Sequence, residues 1–136
     1  MSPQPLIAVR DVESSSRWYQ CVLGLRSGHG GPDYEQLMSG ERMVMQLHHW
    51  DAHHHPHLGR PDIKARGNGT LLWFETEDFD AAVLRVRQQA AQVLEGPEVN
   101  PNAQHREIWL RDPDGYVVVL AGPRGDLGPS TPPPRV

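Results

Sequence analysis

Hydrophobic and polar positions follow two periods along this chain, and the order in which the periods appear occurs twice. Residues 4–10, QPLIAVR, read as a strand. Asp11 then suits a helix N-cap, and in VESSSRWYQCVLGL the residues Val12, Ser15, Tyr19, Val22 and Leu23 fall on one helical face. Gly24 fits the C-cap. HGGP at 29–32 breaks the chain, and 33–39 and 42–50 read as two strands joined by a turn at Ser39-Gly40.

The pattern restarts at TLLWFET, residues 70–76, again a strand. Asp78 repeats the cap signal, and FDAAVLRVRQQAA repeats the helix, with Phe79, Ala82, Val83, Val86 and Ala90 facing inward. A short strand near Gln92–Leu94 and a Pro- and Asn-rich stretch, GPEVNPN (96–102), come next. REIWLRD (106–112) and YVVVLA (116–121) read as strands joined by a DPDG turn, with Arg106, Arg111 and Asp112 setting the hairpin. The expected fold is therefore α+β, built from two βαβββ modules at 1–50 and 70–121. A linker loop rich in His, Pro and Gly, 51–69, joins them, and the Pro/Gly-rich tail, 122–136, is expected to be disordered.

Composition narrows the function classes. The chain has 136 residues, 38% of them hydrophobic, enough for one core, and a net charge of −4. Lys64 is the only lysine and no basic run exists, which argues against a nucleic-acid partner. No segment approaches the roughly 18 apolar residues of a membrane span. The start, MSPQPLIAVRDV, lacks the basic and apolar regions of a signal peptide. One cysteine, Cys21, permits no internal disulfide, and its place in the apolar phase of the helix reads as a small buried hydrophobe. A cytoplasmic protein is expected.

RDVESSSRWYQCVLGL, FETEDFDAAVLRV and EIWLRDPDGYVVVL, in that order and spacing, resemble the first helix, second helix entry and closing hairpin of the vicinal oxygen chelate superfamily. That superfamily includes glyoxalase I, extradiol dioxygenases and the fosfomycin and bleomycin resistance proteins. The resemblance implies paired βαβββ modules whose sheets curl into an open cup, with the ligand site inside it, and a homodimer. It also implies four metal-ligand positions, here occupied by Gln4, Gln46, Leu71 (with Thr70 beside it) and Val119. Zinc, nickel and iron need nitrogen, thiolate or carboxylate donors, and leucine and valine supply none. The chain is thus closest in character to the metal-free, bleomycin-resistance-like branch. The expected function is metal-independent binding and sequestration of a hydrophobic or aromatic small molecule, such as an antibiotic. The competing reading is a glyoxalase- or dioxygenase-type enzyme whose divalent metal (zinc, nickel or iron) is held by shifted ligands.

Strand alternation supplies a candidate pocket. If Gln46 points into the cup, so do Val44, His48 and Trp50, while Met43, Met45 and Leu47 face the helices. If Leu71 points in, so do Trp73 and Glu75. Gln4 brings Leu6 and Ala8, and Val119 brings Val117. Glu107 and Trp109 share a face that the pattern leaves undefined. The ligand-binding candidates are therefore Gln4, Gln46, His48, Trp50, Trp73, Glu75, Trp109 and Val119, an apolar and aromatic set with sparse polar groups. Tyr34 and Glu35, in an edge strand, read as structural.

Six of the eight histidines lie in HHWDAHHHPH, residues 48–57. His48 is open to several roles: general base, hydrogen-bond donor, relocated metal ligand, or half-buried structural residue. His53, His54, His55 and His57 sit in the loop, where adjacent imidazoles cannot all face one ion, and a lid over the cup suits them better than a metal site. His48, Glu75 and His105 are the candidates for acid-base work, and His29 reads as a surface residue.

Overall fold

A computed structural model of the chain describes residues 2–50, 64 and 70–129. Module one comprises β1 (Leu6–Val9), α1 (Val12–Leu23), β2 (Arg26–Ser27), β3 (Tyr34–Ser39) and β4 (Arg42–His49). Module two comprises β5 (Leu72–Glu75), α2 (Phe79–Gln88), β6 (Gln92–Asn100), β7 (His105–Arg111) and β8 (Val117–Ala121). The sheets are ordered β1-β4-β3-β2 and β5-β8-β7-β6. In each, the first strand lies parallel to the last, and the helix is the crossover that a parallel neighbour requires. The two-module α+β fold is thus the one expected from the sequence.

Both helices begin as the caps dictate. Asp11 accepts a hydrogen bond from Ser14 N, and Asp78 accepts one from Ala81 N. Gly24 closes α1 with φ 72°, a conformation that favours glycine, and a Cβ there would press on the Arg85 guanidinium at 3.1 Å. Val12, Ser15, Tyr19, Val22 and Leu23 are buried as the periodicity predicts, and so are Phe79, Ala82, Val83 and Val86. They pack on Met45, Leu47, Leu110, Val118 and Leu120, the strand positions that face the helices.

Four expectations are corrected. Ala90 is exposed at φ 50°, because α2 has already ended at Gln88. Cys21 is exposed, lying on the solvent side of α1 rather than in its apolar stripe. The strand near Gln92–Leu94 is not short: β6 runs on to Asn100 along the sheet edge, with register shifts on either side of Glu95. An edge strand tolerates Gly and Pro at such bulges. Gly96 is required there, since a Cβ would lie 2.5 Å from Glu107 O. Residues 122–128 are tied down rather than disordered. Gly122 N donates to Arg106 O, Arg106 N donates to Asp126 O, and the Arg106 guanidinium bridges Asp126 and Asp80. Residues 130–136 lie outside the described residues.

The modules share one core, α2 meets α1 where Arg85 donates to Leu23 O, and the DPDG turn of module two meets the first helix of module one. Asp112 Oδ1 accepts from Asp114 N and Tyr116 N, which shapes the turn. Asp112 Oδ2 accepts from Tyr19 OH at 2.8 Å, and both side chains are buried. Tyr116 OH donates to Ala8 O, and Arg10 donates to Asp114 and to Pro113 O. Arg106, expected at the hairpin, serves the tail instead, whereas Arg111 donates to Gly115 O within the turn.

Burial, then the Asp112 charge, then its hydrogen bond raise Tyr19 well above the ordinary phenol range. Above pH ~10 the unfolded chain releases that proton while the folded chain keeps it, so stability falls as pH rises. Tyr19→Phe leaves Asp112 short of a donor and is expected to lower stability at pH 7 by about 1–3 kcal/mol. Its urea midpoint should then fall less steeply between pH 9 and 11 than that of the parent protein. Equal midpoints at pH 7 would show that the bond contributes nothing.

Candidate functional site

On each sheet one face packs on its helix, and the other carries the candidate residues. In module one the register sets Leu6, Gln46 and Gln36 side by side, and likewise Ala8, His48 and Tyr34. Tyr34 OH donates to Gln46 Oε1 at 2.6 Å, and Gln46 Nε2 donates to Gln4 O at 2.9 Å. Both ends of the Gln46 amide are therefore engaged. The Gln4 side chain is exposed, ahead of β1 rather than within it. His48 is buried, its Nδ1 2.8 Å from His49 O, and its ring meets the edge of Tyr34. Trp50 follows β4 and is half-buried. A recess of about 420 Å³ runs from Tyr34 and His48 to the turn at His29.

That turn is held by Glu35, a buried carboxylate on the helix side of β3. It accepts from Ser16 Oγ, Ser27 Oγ and the backbone N–H groups of His29, Gly30 and Gln36. Burial raises its pKa, but these bonds outweigh that and hold it below the usual carboxylate value.

In module two, Trp73, Val119 and Trp109 stand in one row across β5, β8 and β7. Val119 is fully buried, Trp109 half-buried and Trp73 46% exposed. Two indoles thus flank a valine, on strands separated by roughly 10 Å, twice the inter-strand spacing. This row fixes the face of Glu107 and Trp109 that the alternation left open. Glu107 is 4% exposed. It accepts from Trp109 Nε1 at 3.0 Å, from Asn100 Nδ2 at 2.9 Å and from His105 Nε2 at 2.8 Å. Burial raises its pKa, while the bonds from Trp109, Asn100 and His105 lower it further, leaving a carboxylate below its ordinary value. On the neighbouring edge strand Glu98 is raised, first by its hydrogen bond to Glu95. The His105 ring lies 5.8 Å from that of Trp73. Glu75 is exposed, one step along the same face of β5. A cavity of about 620 Å³ extends along Leu71, Trp73 and Glu75 to Arg42 and Val44 of module one and to the N-terminal Pro3 and Pro5.

The candidates therefore form two groups. Gln46 and His48 gather around Tyr34, which the sequence reading set aside as structural. Trp73, Trp109, Val119 and His105 gather around Glu107, whose role it missed. The signal was present in His105-x-Glu107-x-Trp109, three residues at strand period.

The donor set at the four implied ligand positions does not fit a divalent cation. Leu71 and Val119 have no donor atom, and the Gln46 amide is occupied by Tyr34 and the Gln4 backbone. Among the described residues no three His, Cys, Asp or Glu side chains gather in a way that would hold a metal. Asp51, His53, His54, His55 and His57 lie outside the described residues. No helix among the described residues is long and apolar enough to cross a membrane.

Comparison with known proteins places this geometry. The family model described as Glyoxalase/Bleomycin resistance protein/Dioxygenase superfamily matches residues 3–120. No curated protein matches. A glyoxalase/bleomycin resistance protein/dioxygenase family enzyme from Burkholderia phytofirmans PsJN is similar in structure, with TM-score 0.72 and 20% identity over 90% of this chain and 98% of that one. The fosfomycin resistance protein FosX from Mesorhizobium loti gives TM-score 0.64 and 18% identity over 90% and 92%. TioX from Micromonospora sp. ML1 gives 0.66 and 16% over 90% and 98%. At such identities the likeness is one of fold.

With His53, His54 and His55 replaced together by Ala, protein purified without nickel resin is expected to carry well under one zinc, nickel or iron per chain. Elemental mass spectrometry checks this, and one metal per chain would show that the remaining residues hold an ion after all.

Proposed function

Because the chain belongs to the Glyoxalase/Bleomycin resistance protein/Dioxygenase superfamily, we propose that it binds and sequesters a flat aromatic or hydrophobic small molecule without a metal, in the manner of the bleomycin-resistance-like branch. The observation that carries this is the row Trp73–Val119–Trp109. The exposed Trp73 indole, on the cavity with Leu71 and Val44, offers a ring the stacking contact that such ligands seek, and the buried Val119 and half-buried Trp109 back it from the same row. The position where a ligand carboxylate would serve a metal is filled by Val119, so the same row that favours an apolar guest disfavours a cation. Trp50, His48, Gln46 and Gln4 on module one, with Glu75 beside Trp73, are the further contacts of this reading. Its ligand class is an antibiotic-like compound, and its setting is a homodimer in the cytoplasm. The exposed apolar side chains Val93, Leu94 and Val99 on edge strand β6 support the dimer.

Titration of tryptophan fluorescence with a panel of flat aromatic antibiotics tests the proposal. At least one is expected to bind with an affinity that excess EDTA leaves unchanged. Trp73→Ala should then lose about 2 kcal/mol, roughly thirtyfold in Kd. Affinities that EDTA abolishes, or that Trp73→Ala leaves untouched across the panel, would overturn it.

A further inference from the structure

His105 opens β7 and shares a face with Glu107 and Trp109. An ionised carboxylate only accepts hydrogen bonds. The 2.8 Å contact between His105 Nε2 and Glu107 Oε2 therefore puts the proton of the neutral ring on Nε2 and its lone pair on Nδ1. Glu107 is itself held from two further sides, by Trp109 Nε1 on one oxygen and Asn100 Nδ2 on the other. A fixed carboxylate fixes the tautomer and plane of the imidazole bonded to it, the arrangement by which a histidine base is oriented. Among the described residues Nδ1 has no hydrogen-bond partner. The ring also neighbours Trp73, 5.8 Å away between centroids, which is 46% exposed and borders the cavity of about 620 Å³, with His105 behind it.

We propose that His105 is a general base toward a ligand resting on Trp73, with Glu107 its positioning residue. The ligand class is a flat compound carrying an acidic C–H or O–H beside its ring. In the step, that bond breaks, its electron pair stays on the ligand, and the proton moves to Nδ1. The imidazolium so formed faces the Glu107 carboxylate. The acids Glu95 and Glu98 from β6, set opposite Trp109 and Glu107, and Glu75 from β5 are on this face, as is the cation Arg111 at the far end of β7. Arg106, next in sequence, points away to Asp80 and Asp126. The inference rests on the reading that a ligand occupies the Trp73 face, and goes beyond it in assigning that ligand a chemistry.

The probe is 5-nitrobenzisoxazole, a flat ring with an acidic C–H. Removal of its proton forms the nitrile as the N–O bond breaks, releasing a coloured phenolate without any further reactant. Per mole, the protein is expected to exceed free imidazole by about 100-fold in kcat/KM. His105→Gln keeps a donor to Glu107 and removes the basic lone pair, so it should fall to the level of free imidazole while retaining its fold. Glu107→Gln should lower kcat about tenfold with KM little changed, in protein whose circular dichroism and gel-filtration profile match the parent's, so that loss of folded protein cannot account for the fall. Parent protein no faster than imidazole, or His105→Gln as fast as the parent, overturns the base. If aromatic compounds still quench tryptophan fluorescence in those proteins, the binding reading stands without it. If they do not bind the parent at all, the binding reading falls as well.

Discussion

The buried hydrogen bond from Tyr19 to Asp112 is the constraint on which the arrangement of this molecule turns. Each βαβββ module has its own helix-backed sheet, and among the described residues no strand pairing crosses between the sheets. Besides the shared core and the α1–α2 contact, where Arg85 donates to Leu23 O, what connects them is a turn. Asp112 spends one oxygen on shaping DPDG and the other on a tyrosine in the opposite module's helix. A carboxylate buried with too few donors would cost several kcal/mol, so turn and helix are obliged to meet in one geometry. Burial nonetheless raises the Asp112 carboxyl, and Tyr19 and the backbone N–H groups of Tyr116 and Asp114 only partly offset it. Arg10 and Tyr116 add bonds at the margin of the same contact, and those to Asp114 are largely exposed and worth little singly. The relative placement of the two candidate faces follows from this junction together with the packing of α1 on α2.

Within module two a second constrained carboxylate does comparable work for the site. Glu107 is buried on the open face of a sheet, where a charge is tolerated only because three side chains donate to it. Those donors are Trp109, His105 and Asn100, so satisfying the carboxylate also fixes the residues around it. Trp109 cannot turn freely while its indole N–H is engaged, which holds one side of the Trp73–Val119–Trp109 row. The polar network thus supports an apolar surface, and the two are built from alternate positions of the same strand.

Much of the fold was legible because it rests on local rules. Asp11, Asp78 and Gly24 announce helix ends through hydrogen bonds and a positive φ that few other residues supply, and the apolar stripes of α1 and α2 follow directly. The misses share a cause. Gly96-Pro97 reads as a break unless the chain is known to lie at a sheet edge with a bulge. The stretch at 122–128 reads as tail unless Arg106 is known to reach it. Cys21 and Ala90 fall just outside stripes whose edges a period alone does not sharpen. Each is a tertiary fact, settled by a neighbour distant in sequence.

The site was legible in its apolar part and illegible in its polar part, for a physical reason. Trp73 and Val119 face the same way because alternation within strands and pairing between them are both short-range patterns. Alternation leaves the face of Glu107 undefined, and Glu is rarely buried. Only the simultaneous presence of Asn100, His105 and Trp109 reverses that expectation, and these come from β6 and β7 together. Tyr34 was set aside in the same way, although its hydroxyl ties down the Gln46 amide. In both modules, then, the side chains that prepare the surface are polar residues whose partners had to be seen in space. The apolar row would look the same in a sequence without them, but its geometry would be free to vary, and a surface that varies selects its guest less well.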